Sequence, residues 1–187
     1  MRRLPARGIT LIETVLYIGL LAITLPYMTS FLIKTQSEHR MFDARTRMEQ
    51  TAGLVFQDLN YSLTKADSIS ITTSTLDVVA STFTFHDDAG TLIMIDCPTV
   101  STSFLSGTQN VRRLRYQSGT GAATYLTDSD IDVTEWRVTA IRDSSDVLTG
   151  MRISLDLAML GTDGSPYNDA TFAGDTTISL QPHTIEN

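Results

Sequence analysis

A chain of 187 residues with 14 Lys and Arg against 21 Asp and Glu carries a formal charge of -7 and a pI of 4.8. That acidic balance argues against a nucleic-acid-binding surface, because phosphate neutralisation needs clustered positive charge. A single cysteine, Cys97, excludes an intrachain disulfide, so packing rather than covalent staples must hold the chain together.

The sequence opens on "MRRLPARG" and passes directly into "ITLIETVLYIGLLAITLPYMTSFLI". From Thr14 to Ile33, 20 consecutive residues carry no formal charge. At 1.5 Å per residue they make a helix of about 30 Å, the thickness of a bilayer's hydrocarbon core. Tyr17, Gly19, Thr24, Pro26, Tyr27, Thr29 and Ser30 dilute the run without adding charge. It is longer than the about 7 to 15 residues of a signal-peptide core, and no A-x-A-like site closes it, so the segment is expected to stay attached as an anchor. Arg2, Arg3 and Arg7 precede it and only Lys34 follows closely before Arg40. The positive-inside rule then predicts a single-pass protein with a cytoplasmic N-terminus and an extracytoplasmic remainder. With Arg2, Arg3, Arg7 and Glu13 set aside, residues 34–187 hold 11 basic against 20 acidic residues and enough length for one core.

Glu13 is the anomaly in this span. A carboxylate in hydrocarbon is costly unless paired, so an ionisable residue there marks a function by default. A plainer reading places it at the headgroup level, solvated and favoured by the positive end of its own helix.

Between Lys34 and Asp67 there is no proline, and Met41, Ala44, Met48, Ala52, Val55, Leu59 and Leu63 recur at three- and four-residue steps. This predicts that the helix continues with one apolar stripe laid on a sheet. Phe42 and Phe56 fall partly off that stripe and either widen the buried face or meet a neighbouring subunit. From Ser68 the period changes. Thr82 to Phe85 alternates, "DDAG" supplies a turn, and Thr91 to Asp96 completes an antiparallel hairpin. Further strands are predicted at 111–117, 122–126, 133–142, 151–157 and 176–180. Alternation from Val133 places Thr134, Trp136, Val138 and Ala140 opposite Val133, Glu135, Arg137 and Thr139, with Trp136 as a core anchor. "GTDGSPYNDATFAGD", Gly161 to Asp175, reads as a loop. The predicted organisation is a basic leader (1–8), a transmembrane helix (9–33), an exported continuation of that helix (34–67) and a β-rich head (68–187). The fold class is α+β, a long N-terminal helix whose first half spans a membrane and whose second half packs on an antiparallel sheet.

No catalytic pattern is legible. His39, His86 and His183 are isolated, Cys97 has no partner at a metal or nucleophile spacing, and the serines lack a G-x-S-x-G setting, so the chain reads as non-enzymatic and without a cofactor. "DSDID" imitates the start of an EF-hand at Asp128, Asp130 and Asp132, but Val133 stands where the turn glycine is needed and Thr139 where the closing Glu is needed. A looser calcium site there, or around Asp163 and Asp169, stays open beside solvated turn carboxylates. "VRRLRY" gathers Arg112, Arg113 and Arg115, expected to form ion pairs within a strand or at a subunit contact.

Arg7-Gly8-Ile9-Thr10-Leu11-Ile12-Glu13 ahead of the apolar run resembles the processing and methylation signal of type IV pilins and the pseudopilins of type II secretion. The resemblance covers about 25 residues closely, and the remaining chain agrees in outline. It implies that a prepilin peptidase cuts after Gly8, that Ile9 becomes the N-methylated first residue, and that Glu13 serves assembly by attracting the new amine of a neighbouring subunit. Two residues depart from the family pattern: Ile9 stands where Phe or Met is usual, and Ser30 where major pilins often carry proline, the span's own proline being Pro26. "AGLVFQDLNYSLTKADSI", "WRVTA" and "MRISLDL" resemble stretches of the larger minor pseudopilins and minor pilins. That likeness implies a non-enzymatic subunit that initiates or caps a pseudopilus or pilus. Its expected partners are other pilins or pseudopilins, the prepilin peptidase, the inner-membrane assembly platform and the lipid bilayer, with no nucleic acid. The competing reading is an uncleaved, single-pass, membrane-anchored extracytoplasmic binding module.

Overall fold

The computed structural model describes residues 10–161, 166–180 and 184–186. One helix, α1 (Leu11–Thr64), precedes the strands β1 (Ser68–Thr75), β2 (Thr82–His86), β3 (Leu92–Asp96), β4 (Thr99–Phe104), β5 (Gly107–Arg112) and β6 (Arg115–Ser118). The strands β7 (Thr124–Tyr125), β8 (Ile131–Arg142), β9 (Leu148–Leu160), β10 (Pro166–Ser179) and β11 (Thr184–Glu186) follow. The chain divides into two compact units, Met1–Phe42 and Asp43–Asn187. The architecture is α+β: a long helix, apolar at its N-terminal end, and a multi-stranded, mainly antiparallel head onto which its later turns pack.

In the second unit, burial follows the helical period. Ala44, Met48, Ala52, Val55, Leu59 and Leu63 are buried, and they share one core with Phe83, Phe85, Ile95, Trp136, Ile153 and Leu155. Met48, Ala52 and Leu63 are wholly inaccessible, so the core depends on this stripe as much as on the sheets. Phe56 widens the buried face, whereas Phe42 is exposed. The helix stops at Thr64, where Ala66 N–H bonds the Leu63 carbonyl and Asp67 N–H bonds the carbonyl of His86, handing the chain to β1.

Six strands form one sheet in the order β11-β1-β2-β3-β6-β7, antiparallel except for the parallel pair β1 and β11. A three-stranded antiparallel sheet runs β10-β9-β8, and β4 and β5 make a separate hairpin. The β2–β3 turn is built by Asp87, whose carboxylate accepts the N–H groups of Ala89 (3.0 Å) and Thr91 (2.8 Å) while Gly90 takes φ 73°. The β8–β9 turn repeats the device. Asp143 accepts from Ser145 and Val147, and Asp146 holds the left-handed position at φ 62°, which aspartate tolerates better than most residues.

Three sequence expectations are corrected. A bulge between Val133 and Glu135 shifts the phase of β8, so Val133 and Trp136 both point into the core instead of to opposite faces. Residues 111–117 are not one strand: the chain leaves the β4–β5 hairpin after Arg112, buries Leu114, and enters the larger sheet at Arg115. The stretch 161–175 is not a loop throughout, because β10 begins at Pro166 and Thr171–Ser179 pairs residue by residue with Ala158–Gly150. Gly174 fits that strand because the Phe172 ring lies over it, where a Cβ would stand 2.7 Å from the ring.

The two edges of the three-stranded sheet are finished differently. Along β8, Ser81 N–H bonds the Trp136 carbonyl (3.1 Å), Val138 N–H bonds Ser81 Oγ (3.2 Å), and Asp77 N–H bonds the Val138 carbonyl (2.9 Å). Trp136 Nε1 adds a bond to the Ser81 carbonyl (2.8 Å), so the 77–81 loop seals this edge. On the outward face, Glu135 of β8 lies directly across from Asp156 of β9. Burial, and then the Glu135 charge, raises the Asp156 carboxyl above its ordinary value.

Leu59→Ala is expected to cost about 2 to 5 kcal/mol in denaturant unfolding of the detergent-solubilised chain, whereas Leu54→Ala on the exposed helix face stays within about 0.5 kcal/mol. Because the folded state holds the Asp156 proton more tightly than the unfolded state, stability falls as pH rises through the carboxylate range. Asp156→Asn should therefore gain about 0.2 to 1 kcal/mol near neutral pH, and unfolding at pH 3 should show that gain abolished.

Candidate functional site

The first unit exposes its apolar residues. From Leu11 to Ile33 every large hydrophobic side chain is between 53% and 85% accessible, with none buried against another part of the chain. The helix begins at Leu11, with the Thr10 carbonyl accepting the N–H groups of Glu13 (3.0 Å) and Thr14 (3.2 Å). Thr10 thus closes the first turn through its main-chain carbonyl.

The threonine hydroxyls in and beside the run bond to the helix's own backbone. Thr24 Oγ1 donates to the Leu20 carbonyl (3.0 Å), Thr29 to Leu25 (2.8 Å) and, just past the run, Thr35 to Phe31 (2.9 Å), so these three hydroxyls do not depend on water. Thr14 bonds the Leu11 carbonyl (2.9 Å) in the same manner. Pro26 removes one N–H, but the helix continues through it. By length and composition this segment can cross a bilayer, and its surface chemistry suits hydrocarbon better than water.

Glu13 is the third residue of the helix, exposed, in the turn where backbone N–H groups make the positive end of the helix dipole. Among the described residues no cation stands against its carboxylate. Gly8 and Ile9 lie outside the described residues.

Other sequence-selected residues serve the head. Arg47 of α1 reaches Asp128 (3.1 Å) and Asp130 (3.2 Å), while Asp132 turns away to accept the Arg112 backbone N–H (2.8 Å). The three aspartates therefore do not converge, and no group of three or more His, Cys, Asp or Glu among the described residues is placed to hold a metal. Asp163 lies outside the described residues and the side chain of Asp169 is likewise not described. Arg115 makes a two-pronged contact with Asp96, Arg113 donates to the Thr127 carbonyl and lies over the Tyr125 ring at 4.2 Å, and Arg112 donates to the Thr134 carbonyl (2.7 Å). All three arginines hold strands and loops together. His86 Nδ1 lies 3.3 Å from Ser68 Oγ. Cys97 is buried, which pushes its thiol up to about 12.

Comparison with protein-family models, curated proteins and solved structures finds no match to this chain. What the fold and segment define is a membrane-associated helix joined to a β-sheet domain, with one span-length apolar helix near the N-terminus.

At pH 8 the native chain should resist iodoacetamide while the urea-unfolded chain alkylates fully, read by intact mass. Rapid native modification would contradict the burial of Cys97.

Proposed function

We propose that the chain is a minor pilin or minor pseudopilin, a non-enzymatic subunit that initiates or caps a filament of type II secretion or type IV pilus machinery after its leader is removed. The observation that carries this reading is one sequence in one place: Arg7-Gly8-Ile9-Thr10-Leu11-Ile12-Glu13 immediately ahead of an exposed helix that is otherwise apolar through Ile33. A peptidase cut after Gly8 creates an amine on Ile9, one helical turn before Glu13. In hydrocarbon an amine and a carboxylate attract strongly, because little water screens them. The carboxylate of one subunit can therefore capture the amine of the next and set its depth in the membrane.

Support comes also from the charge pattern, with arginines before the span and an acidic head after it, which orients the leader toward the cytoplasm and the head away from it. The partners on this reading are a prepilin peptidase, an inner-membrane assembly platform, other pilin-type subunits and the bilayer itself. Calcium has no assigned role.

N-terminal mass spectrometry of the membrane-extracted chain, from a host with an active prepilin peptidase, should find a terminus at Ile9. A terminus at Met1 contradicts the proposal and leaves an uncleaved, membrane-anchored binding module. Glu13→Gln should retain processing and membrane insertion but reduce incorporation into sheared filaments at least tenfold by immunoblot; unchanged incorporation refutes the assembly role of the carboxylate.

A further inference from the structure

We propose that the outer edge of β10 is a docking site for an extended strand of a different protein, one that presents an arginine or lysine opposite Ala173. The first support is the backbone. Thr171–Ser179 is laddered to β9 on one side, and its other side has no hydrogen-bond partner among the described residues. The opposite edge of the same sheet, at β8, is sealed by Ser81, Asp77 and the Trp136 indole. Between Thr171 and Ser179 there is no proline, lysine or arginine, and the one charge, Asp175, is held by Arg152 at 2.9 Å. An edge this long without such guards is a template for strand addition.

The second support is charge. On the outward face beside this edge lies a hollow of about 260 Å³ bounded by Glu135, Arg152, Asp156, Ala173 and Asp175. Arg137 Nε lies 3.0 Å from Glu135, close enough for an ion pair but not aligned for a hydrogen bond, and Arg152 pairs with Asp175, which leaves Asp156 without a cation among the described residues. Asp156 lies directly across from Ala173, whose side chain is a single methyl. A strand added to the edge would place its backbone about 9.6 Å from Asp156, two strand spacings away, within reach of a long basic side chain crossing over Ala173.

The occupant is another protein because the matching open edge of a second copy, Thr171–Ser179, carries no arginine or lysine to set opposite Ala173, and the chain's two lysines, Lys34 and Lys65, lie outside its strands. Its strand arginines Arg112, Arg115, Arg137, Arg142 and Arg152 lie in β5, β6, β8 and β9, each of which is already paired to a neighbouring strand of its own sheet. This inference does not depend on the proposed function, since an anchored binding module could use the same edge.

The test uses the full detergent-solubilised chain and synthetic nine-residue peptides of alternating threonine and valine with a central arginine or glutamate. Fluorescence anisotropy should give at least tenfold tighter binding for the arginine peptide, and hydrogen exchange should slow at 171–179 on binding. Asp156→Asn, which removes a repulsion and keeps the fold, should erase the arginine preference. An arginine peptide methylated at alternate amide nitrogens should not bind. Absence of binding by the arginine peptide, binding without protection of 171–179, or a preference that survives Asp156→Asn would each overturn the proposal.

Discussion

A single helix has to satisfy two different solvents, and the rest of the molecule follows from that constraint. Up to Ile33 its apolar side chains face outward without protein to cover them; beyond Asp43 an apolar stripe of the same helix is buried in the core of the head. Exposed apolar surface on this scale is untenable in water and ordinary in hydrocarbon. Thr14, Thr24 and Thr29 fit the same environment, since each donates its hydroxyl to a carbonyl about one turn back. Glu13 alone does not fit, which is why the mechanism proposed for the chain turns on it.

The head meets its own constraint by using polar contacts to finish the places where sheets end. The Trp136 indole and Ser81 tie a loop along β8, Arg115 and Asp96 clamp neighbouring strands, and Arg47 fastens α1 to the loop of Asp128 and Asp130. Salt bridges as exposed as those of Arg47 contribute little to stability, about 0 to 1 kcal/mol, so the fold rests on the buried stripe and the sheets rather than on charge. Against that background the edge of β10 and Asp156, both without a partner among the described residues, stand apart, because elsewhere the head uses its arginines to close such gaps.

The apolar stripe of α1 was readable directly, because Ala44, Met48, Ala52, Val55, Leu59 and Leu63 follow the helical period and no proline interrupts them. Trp136 was readable as a core residue from its type, but its facing partners were not: a bulge adds one residue to β8 and no composition signal announces it. The start of β10 was hidden by Gly, Asp, Pro and Asn, residues that mark turns on average; pairing with β9 and the Phe172 ring over Gly174 override that preference. "VRRLRY" looked continuous because burial of Leu114 between two sheets leaves no mark in the alternation. At the candidate site, Glu13 was conspicuous for its charge, whereas the meeting of Ala173 with Asp156 depends on strand register that only the fold supplies.

The central claim, that Thr14 to Ile33 lies in hydrocarbon, is tested most directly by spin-label depth profiling. Single cysteines placed in turn across residues 14–36 of the full chain in liposomes can be labelled while buried Cys97 stays unreactive. Oxygen accessibility relative to that of a polar nickel complex should rise to one maximum near Ile23 and Thr24 and fall to aqueous values by Lys34. A flat aqueous profile would contradict the account, as would a protection pattern repeating every 3.6 residues throughout, which would place the segment against protein instead of lipid.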